Sequence, residues 1–176
     1  MSTIAFIGYR GSGKSTLGKW LARELALEFI DTDDCVLASL GFDSVTEAWE
    51  QVGEKGWREA ELHVIPALFQ LEAVVALGGG APMIPGVAKA IAGCKHVINL
   101  TSNAAVTQER IASGEDRPAL AERDAETRLD RLPTYAMLGT VGIDTSGDIG
   151  RCKEQILEYL EHGHRLPDSS YCPQQD

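Results

Sequence analysis

A glycine-rich segment between two regular elements constrains this chain more than any other feature. Residues 8–15 read Gly-Tyr-Arg-Gly-Ser-Gly-Lys-Ser and fit the pattern G-x-x-x-x-G-K-[ST]. The apolar, β-branched run 3–7 before the segment predicts a strand, and leucines at helical spacing predict a helix over 14–27. Glycines allow successive backbone N–H groups to point inward, which is the geometry that phosphate oxygens require. The segment therefore predicts a phosphate-binding loop in an α/β fold.

The chemistry of such a loop assigns roles to its residues. The backbone and the helix N-terminus hold the phosphates, the lysine bridges the outer phosphates, and the hydroxyl ligates Mg²⁺. The predicted ATP-binding residues in this stretch are Gly11, Ser12, Gly13, Lys14, Ser15 and Thr16, and Ser15 is the predicted metal ligand. The chain lacks the Asn-Lys-x-Asp motif with which GTPases read their base, which disfavours that class.

The rest of the chain alternates short apolar strands with amphipathic helices, which predicts a largely parallel sheet. Residues 33–71 are predicted to be helical with breaks at Gly41, at Gly53 with Gly56, and at Pro66. We expect a single domain over 1–165 and a flexible tail over 166–176. The further predicted strands are 29–30, 73–77, 96–100 and 140–144, and the further predicted helices are 85–92, 104–112, 125–138 and 149–160.

The formal net charge of −10 argues against nucleic acid and acidic membrane surfaces as partners. No apolar run approaches the roughly 20 residues of a membrane span, and the sequence opens without a basic leader, so we expect a cytoplasmic location. An anionic ligand would be repelled at long range, so it would need a local cluster of arginine and lysine.

Acidic residues follow the second predicted strand, at Asp31, Asp33 and Asp34. The carboxyl ends of parallel strands gather on the side of the sheet where ligands bind. One of these carboxylates can help to hold Mg²⁺ through water, and another can accept or orient the proton of a substrate hydroxyl. The alternative is a structural one, in which Asp33 serves only as a helix N-cap.

Taken together, these motifs resemble those of the shikimate kinase family. Asp31-Thr32-Asp33 resembles its Asp-x-Asp, residues 57–61 its F-R-x-x-E helix, residues 78–80 its glycine triplet, Arg117-Pro118 its lid, and residues 131–135 its R-x-P-x-Y. The resemblance implies a three-layer α/β/α P-loop kinase, with a five-stranded parallel sheet, a mobile lid at about 113–123, substrate-binding helices and a monomeric state.

The resemblance also implies roles for individual side chains. Asp33 would be the catalytic base, with Lys14 and Arg117 stabilising the transferred phosphoryl group and Asp31 lying near the metal. Arg58 and Arg131 would hold the substrate carboxylate, which suits the bidentate geometry of guanidinium groups. Independently of the resemblance, the position of Arg10 inside the phosphate loop makes it a candidate for a third such group. The remaining implied contacts are Arg110 with adenine, and Glu61, Gly79, Trp49 and Trp57 at the shikimate site.

The implied activity is ATP-dependent phosphorylation of the 3-hydroxyl of shikimate, in the chorismate route to aromatic amino acids. One alternative is a kinase for another small acid or polyol such as gluconate. Another is a nucleotide-binding module without catalysis. Arg58 and Arg131 favour an anionic acceptor over a neutral polyol, and the presence of Lys14, Asp33 and Arg117 favours catalysis.

Overall fold

In the computed structural model, which describes residues 2–112 and 124–163, five parallel strands form one sheet in the order β2-β3-β1-β4-β5. This confirms the predicted fold class and places β1, which leads into the glycine-rich loop, at the centre of the sheet. The predicted lid over 113–123 and the predicted tail over 166–176 lie outside the described residues. The strands are β1 (Ile4–Gly8), β2 (Glu28–Asp31), β3 (Ala73–Ala76), β4 (His96–Thr101) and β5 (Val141–Asp144).

Helices cover both faces of the sheet. One core contains α1 and α7 side chains with Phe6 and Ile98, and the other contains α3, α4 and α6 side chains with Ile7 and Val75. Because strand side chains alternate between the faces, consecutive residues such as Phe6 and Ile7 enter opposite cores. The helices are α1 (Lys14–Glu24), α2 (Thr32–Leu40), α3 (Val45–Leu68), α4 (Pro85–Ala92), α5 (Ala104–Ala112), α6 (Asp124–Leu138) and α7 (Ile149–His162).

The first helix is shorter than the sequence pattern predicts, ending at Glu24 instead of Leu27. Ala26 adopts a left-handed φ of 52°, and the Leu27 N–H turns back to the Ala22 carbonyl at 2.8 Å. This closing turn satisfies helix-end carbonyls and directs the chain into β2.

The long helical region has its main break at Gly53, where φ is 67° and ψ is −180°. The predicted break at Gly41 is confirmed, since Gly41 ends α2 with a φ of 76°. The companion break at Gly56 is wrong because Gly56 lies within the helix. The helix does not end at Pro66 either, since α3 continues to Leu68.

Among the described residues, no helix is both long enough and apolar enough to cross a membrane.

Candidate active site

The glycine-rich loop curls at the carboxyl end of β1 because its glycines adopt conformations that other residues rarely reach. Gly8 and Gly13 have φ values of 138° and 93°. A Cβ built on Gly8 would lie 2.3 Å from the Leu100 carbonyl oxygen, so the close approach of β4 also requires glycine there. Gly13 is the N-cap of α1 and supplies no side-chain cap, so no side chain competes with an anion at this helix N-terminus.

Lys14 and Thr145 both bond to the backbone of this loop. The Lys14 ammonium donates to the carbonyl oxygens of Gly8 and Tyr9, each at 2.8 Å. The buried Thr145 hydroxyl donates to the Ser12 carbonyl at 3.0 Å and lies beside the end of β5. Sequence reasoning missed Thr145, because the bond joins residues that are far apart in the chain.

Asp31 connects the second strand to the loop. Its Oδ2 accepts a hydrogen bond from the Ser15 hydroxyl at 3.0 Å, and its Oδ1 accepts one from the Asp33 N–H at 3.1 Å. Asp31 is therefore the N-cap of α2, and the alternative reading in which Asp33 caps this helix is wrong. Burial, followed by the charge of Asp33, raises the pKa of the Asp31 carboxyl above its usual 3.8.

The Asp31 carboxylate and the Ser15 hydroxyl form a donor set suited to a hard divalent cation. Mg²⁺ prefers oxygen ligands and is commonly held in such sites by one or two protein groups together with phosphates and water. The two oxygen-bearing side chains already lie within hydrogen-bond distance, beside the phosphate loop. The residues present thus fit the metal that the loop motif implies.

Asp33 lies directly against the first glycine of the triplet. A Cβ built on Gly78 would lie 2.3 Å from the Asp33 Oδ1 and 3.4 Å from the Glu61 Oε1. The wholly buried Thr32 hydroxyl accepts a hydrogen bond from the Gly78 N–H at 2.9 Å. The start of α2, directly after β2, is therefore joined to the triplet by contact and by a hydrogen bond.

Arg58 approaches the triplet from α3. Its Nη1 donates to the Glu61 Oε2 at 2.6 Å, and its Nη2 lies 3.5 Å from the Glu54 carboxylate. The guanidinium leaves no room for a side chain at Gly80, where a built Cβ would lie 2.3 Å from Nη2. Glu61 is 1% exposed, and this burial raises the pKa of its carboxyl despite the opposing effect of Arg58. Arg58 is thereby held in place by its acidic neighbours.

The two tryptophans differ in their surroundings. Trp57 is 3% exposed and belongs to a small core with Val36 and Ala48. Trp49 is half-buried, its ring centroid lies 6.4 Å from that of Trp57, and Arg58 lies 5.8 Å above its ring. Trp57 thus contributes mainly to packing, whereas Trp49 has both an accessible surface and a cation beside it.

Arg131 and Tyr135 of α6 meet the triplet at its middle member. A Cβ built on Gly79 would lie 3.5 Å from the Arg131 Nη1 and 3.7 Å from the Tyr135 hydroxyl. The Tyr135 hydroxyl donates to the Gly79 carbonyl, and burial raises the pKa of this phenol, which keeps it protonated as a donor. Sequence reasoning gave Tyr135 no site role, although its four-residue spacing from Arg131 puts both on one helix face.

A cavity of about 470 Å³ lies between the phosphate loop, the end of β2 and the triplet. Its lining includes Arg10, Lys14, Ser15, Asp31, Asp33 and Gly79. Arg58 and Arg131 reach the adjoining triplet residues Gly80 and Gly79. The side chain of Arg110, in α5, and the whole of Arg117 lie outside the described part of the chain. The cavity therefore joins a phosphate-binding loop to paired carboxylates, next to two guanidinium groups.

Comparisons with known proteins agree on one family. The model of the family described as shikimate kinase matches residues 10–161. A shikimate kinase of Legionella pneumophila (strain Corby) is 36% identical over 164 residues, covering 89% of this chain and 93% of the relative. The solved structure of shikimate kinase from Acinetobacter baumannii in complex with shikimate superposes with a TM-score of 0.83 at 27% identity, covering 93% and 94% of the two chains.

A gluconokinase from Sinorhizobium meliloti 1021 is similar in fold, with a TM-score of 0.58 at 20% identity and 91% coverage of both chains. Identity this low shows a shared fold alone, whereas the family model and the Legionella relative match across most of the sequence. The chain belongs to the shikimate kinase family.

Proposed function

We propose that the protein transfers the γ-phosphoryl group of ATP to the 3-hydroxyl of shikimate. The observation that carries this proposal is that Lys14 of the phosphate loop, Asp33 and Gly79 all line one cavity. A phosphoryl donor and a hydroxylated acceptor bound in this cavity would lie on the same side of the sheet and next to each other. Family membership supports the same reaction, and a monomeric, cytoplasmic enzyme of aromatic amino acid biosynthesis remains our expectation.

The phosphate side of the reaction is assigned to the loop and to Lys14. The N–H groups at the start of α1 would hold the phosphates, and the Lys14 ammonium would exchange its bonds to Gly8 and Tyr9 for phosphate oxygens. Ser15 and, through water, Asp31 would hold Mg²⁺, which when bound would neutralise charge on the phosphates. Arg117 keeps its predicted role at the γ-phosphate, and Arg110 its predicted role at adenine.

The acceptor side is assigned to Asp33 and the two arginines. Asp33 would accept the proton of the reacting hydroxyl, and the acceptor oxygen would attack in line without a phosphoenzyme. Arg58 and Arg131 would bind the carboxylate, with Glu61 orienting Arg58, and Arg10 of the cavity lining adds a further cation. Two guanidinium groups on one carboxylate would limit the acceptor's rotation, so that the hydroxyl stays directed at the phosphate.

ADP release from MgATP tests this proposal, measured with shikimate, quinate, gluconate or no acceptor. We expect turnover with shikimate alone. Arg131→Met should raise the shikimate KM by roughly 10- to 100-fold, because a charged hydrogen bond contributes about 1.5–3 kcal/mol, and should leave the ATP KM unchanged. Arg151→Met, at an exposed arginine of α7, is the matched control. Turnover with gluconate in place of shikimate would contradict the proposal, as would ATP binding without turnover of any acceptor.

A further inference from the structure

Thr32 makes a bond that neither the motif nor the proposed reaction uses. It lies between Asp31 and Asp33, its side chain is 0% exposed, and its Oγ1 accepts from the Gly78 N–H at 2.9 Å. The two residues are 46 positions apart in sequence. The bond therefore joins the first residue of α2, which lies between the two carboxylates, to the glycine triplet after β3.

Further hydrogen bonds fix the rest of the triplet. The Gly78 carbonyl accepts from the Ala81 N–H and the Gly80 carbonyl from the Met83 N–H, each at 3.0 Å. The Gly79 carbonyl accepts from the Tyr135 hydroxyl. The bond from Ala81 orients the peptide between Gly78 and Gly79, and the bond to Thr32 orients the peptide just before it. Gly79 itself lines the cavity.

Glycine at position 78 makes this bond more important, because it removes the side-chain packing that would otherwise locate the segment. A Cβ there would displace the Asp33 carboxylate, and glycine is the residue type with the most backbone freedom. The hydrogen bond that the Gly78 N–H donates to a buried, β-branched side chain with a restricted χ1 supplies the missing constraint. Thr32 thus ties the segment that carries Asp33 to the backbone of Gly78, the residue before Gly79.

We propose that Thr32 is a positioning residue of the acceptor site, which sets the Gly79 N–H against the Asp33 carboxylate so that both can engage one acceptor. This role rests on the proposed phosphorylation of shikimate. It differs from a purely structural role, which would affect folding and leave the acceptor's kinetic constants unchanged.

The test compares Thr32→Val, which keeps the shape and removes the acceptor oxygen, with Thr32→Ser, which keeps the oxygen. We expect Thr32→Val to lower kcat/KM for shikimate by about 10-fold or more, since an unpaired buried N–H is costly and lets the triplet move, with the ATP KM unchanged. Thr32→Ser should restore kcat/KM to within about threefold of wild type. Thr32→Ala, with room for a water molecule, serves if the valine variant does not fold.

Thr3→Val is the matched control, because Thr3 is also buried and bonds across elements, to the Phe69 and Leu71 carbonyls, at the other end of β1. It should reduce the urea midpoint and leave kcat/KM for shikimate unchanged. If the wild type phosphorylates shikimate and Thr32→Val has the same kinetic constants for shikimate, the positioning role of Thr32 is overturned and the proposed function is not. If Thr32→Val changed the kinetic constants for shikimate and for ATP by equal factors, this role would also be overturned. A wild type that does not phosphorylate shikimate overturns the proposed function and this role together.

Discussion

At the scale of single residues, Asp31 combines a structural bond with a functional one. One oxygen caps α2 and the other accepts from Ser15, while burial and Asp33 raise the pKa of the carboxyl. A folded-state pKa above the unfolded value of 3.8 means that stability is lost as the pH rises through the folded pKa. At neutral pH the ionised Asp31 therefore destabilises the protein until a cation binds.

Asp31→Asn tests this conflict, since asparagine is also a good N-cap and removes only the charge. We expect the ligand-free variant to have a higher free energy of unfolding than wild type near pH 7, with the difference shrinking as the pH falls towards 3.8. The Mg²⁺ concentration for half-maximal turnover should rise by about 10-fold or more. Urea unfolding and a Mg²⁺ titration measure the two effects.

Asp34→Asn is the control for that substitution, because Asp34 is exposed in the first turn of the same helix. It should leave the Mg²⁺ requirement unchanged. It should stabilise the protein less than Asp31→Asn does, because the charge of Asp34 is only the smallest contributor to the raised Asp31 pKa and an acidic residue in the first turn is favourable. If Asp31→Asn destabilised the ligand-free protein at neutral pH, the conflict between stability and metal binding would not exist.

At the scale of secondary-structure elements, the features that could be predicted are those that depend on neighbouring residues in the sequence. The five strands and the loop around Lys14 follow from apolar runs and glycines, and the end of β2 at its acidic residues follows from the change in polarity. Whether Asp31 or Asp33 is the N-cap could not be predicted, because both residues suit that position. The choice depends on where β2 ends, and this is set by the pairing of Asp31 with Ala76 of β3. The Thr32–Gly78 bond depends on strands adjacent only in space.

Gly53 shows how an element places site residues. It separates the part of α3 that carries Trp49 from the part that carries Trp57 and Arg58, with a φ of 67° and a ψ of −180° that are essentially limited to glycine. Gly53→Ala should therefore cost about 1–3 kcal/mol of stability and raise the shikimate KM, because relief of the strain changes the angle between the two parts.

Thermal unfolding and steady-state kinetics measure these effects. Gly142→Ala is the matched control, because a Cβ at Gly142 would have nothing within 4 Å and the backbone there has no positive φ. That control should change neither the stability by more than about 0.5 kcal/mol nor the shikimate KM. A Gly53→Ala protein with wild-type stability would show that the break carries no strain.

At the scale of the whole molecule, the two ends of the sheet have separate tasks. The carboxyl ends of the strands carry the phosphate loop, where Arg10 and Lys14 line the cavity beside the carboxylates of Asp31 and Asp33. At the opposite end, His96 pairs in register with Ile4 at the start of β1. Its Nδ1 lies 3.3 Å from the Tyr159 hydroxyl, which lies 2.6 Å from the Thr140 hydroxyl. A titration at this end should therefore affect stability separately from catalysis.

Burial, with Lys95 nearby, lowers the pKa of His96 below its usual 6.5. The unfolded chain then binds more protons than the folded protein between the two pKa values, so the stabilisation is complete above pH 6.5 and declines as the pH falls. His96→Asn should cost stability near pH 7.5, and its deficit relative to wild type should narrow towards pH 5.5. Asp31 and Glu61, whose pKa values are raised, have the opposite pH dependence. Wild type and His96→Asn both contain these two carboxylates, so their effect cancels when the two stabilities are subtracted.

Urea unfolding between pH 5.5 and 7.5 measures the stability deficit of His96→Asn. His63→Asn, at an exposed histidine, is the control. A constant deficit would show that His96 contributes packing alone. A deficit that narrows while turnover at pH 7.5 is unchanged would establish that the titration of His96 affects stability and leaves the active site unaffected.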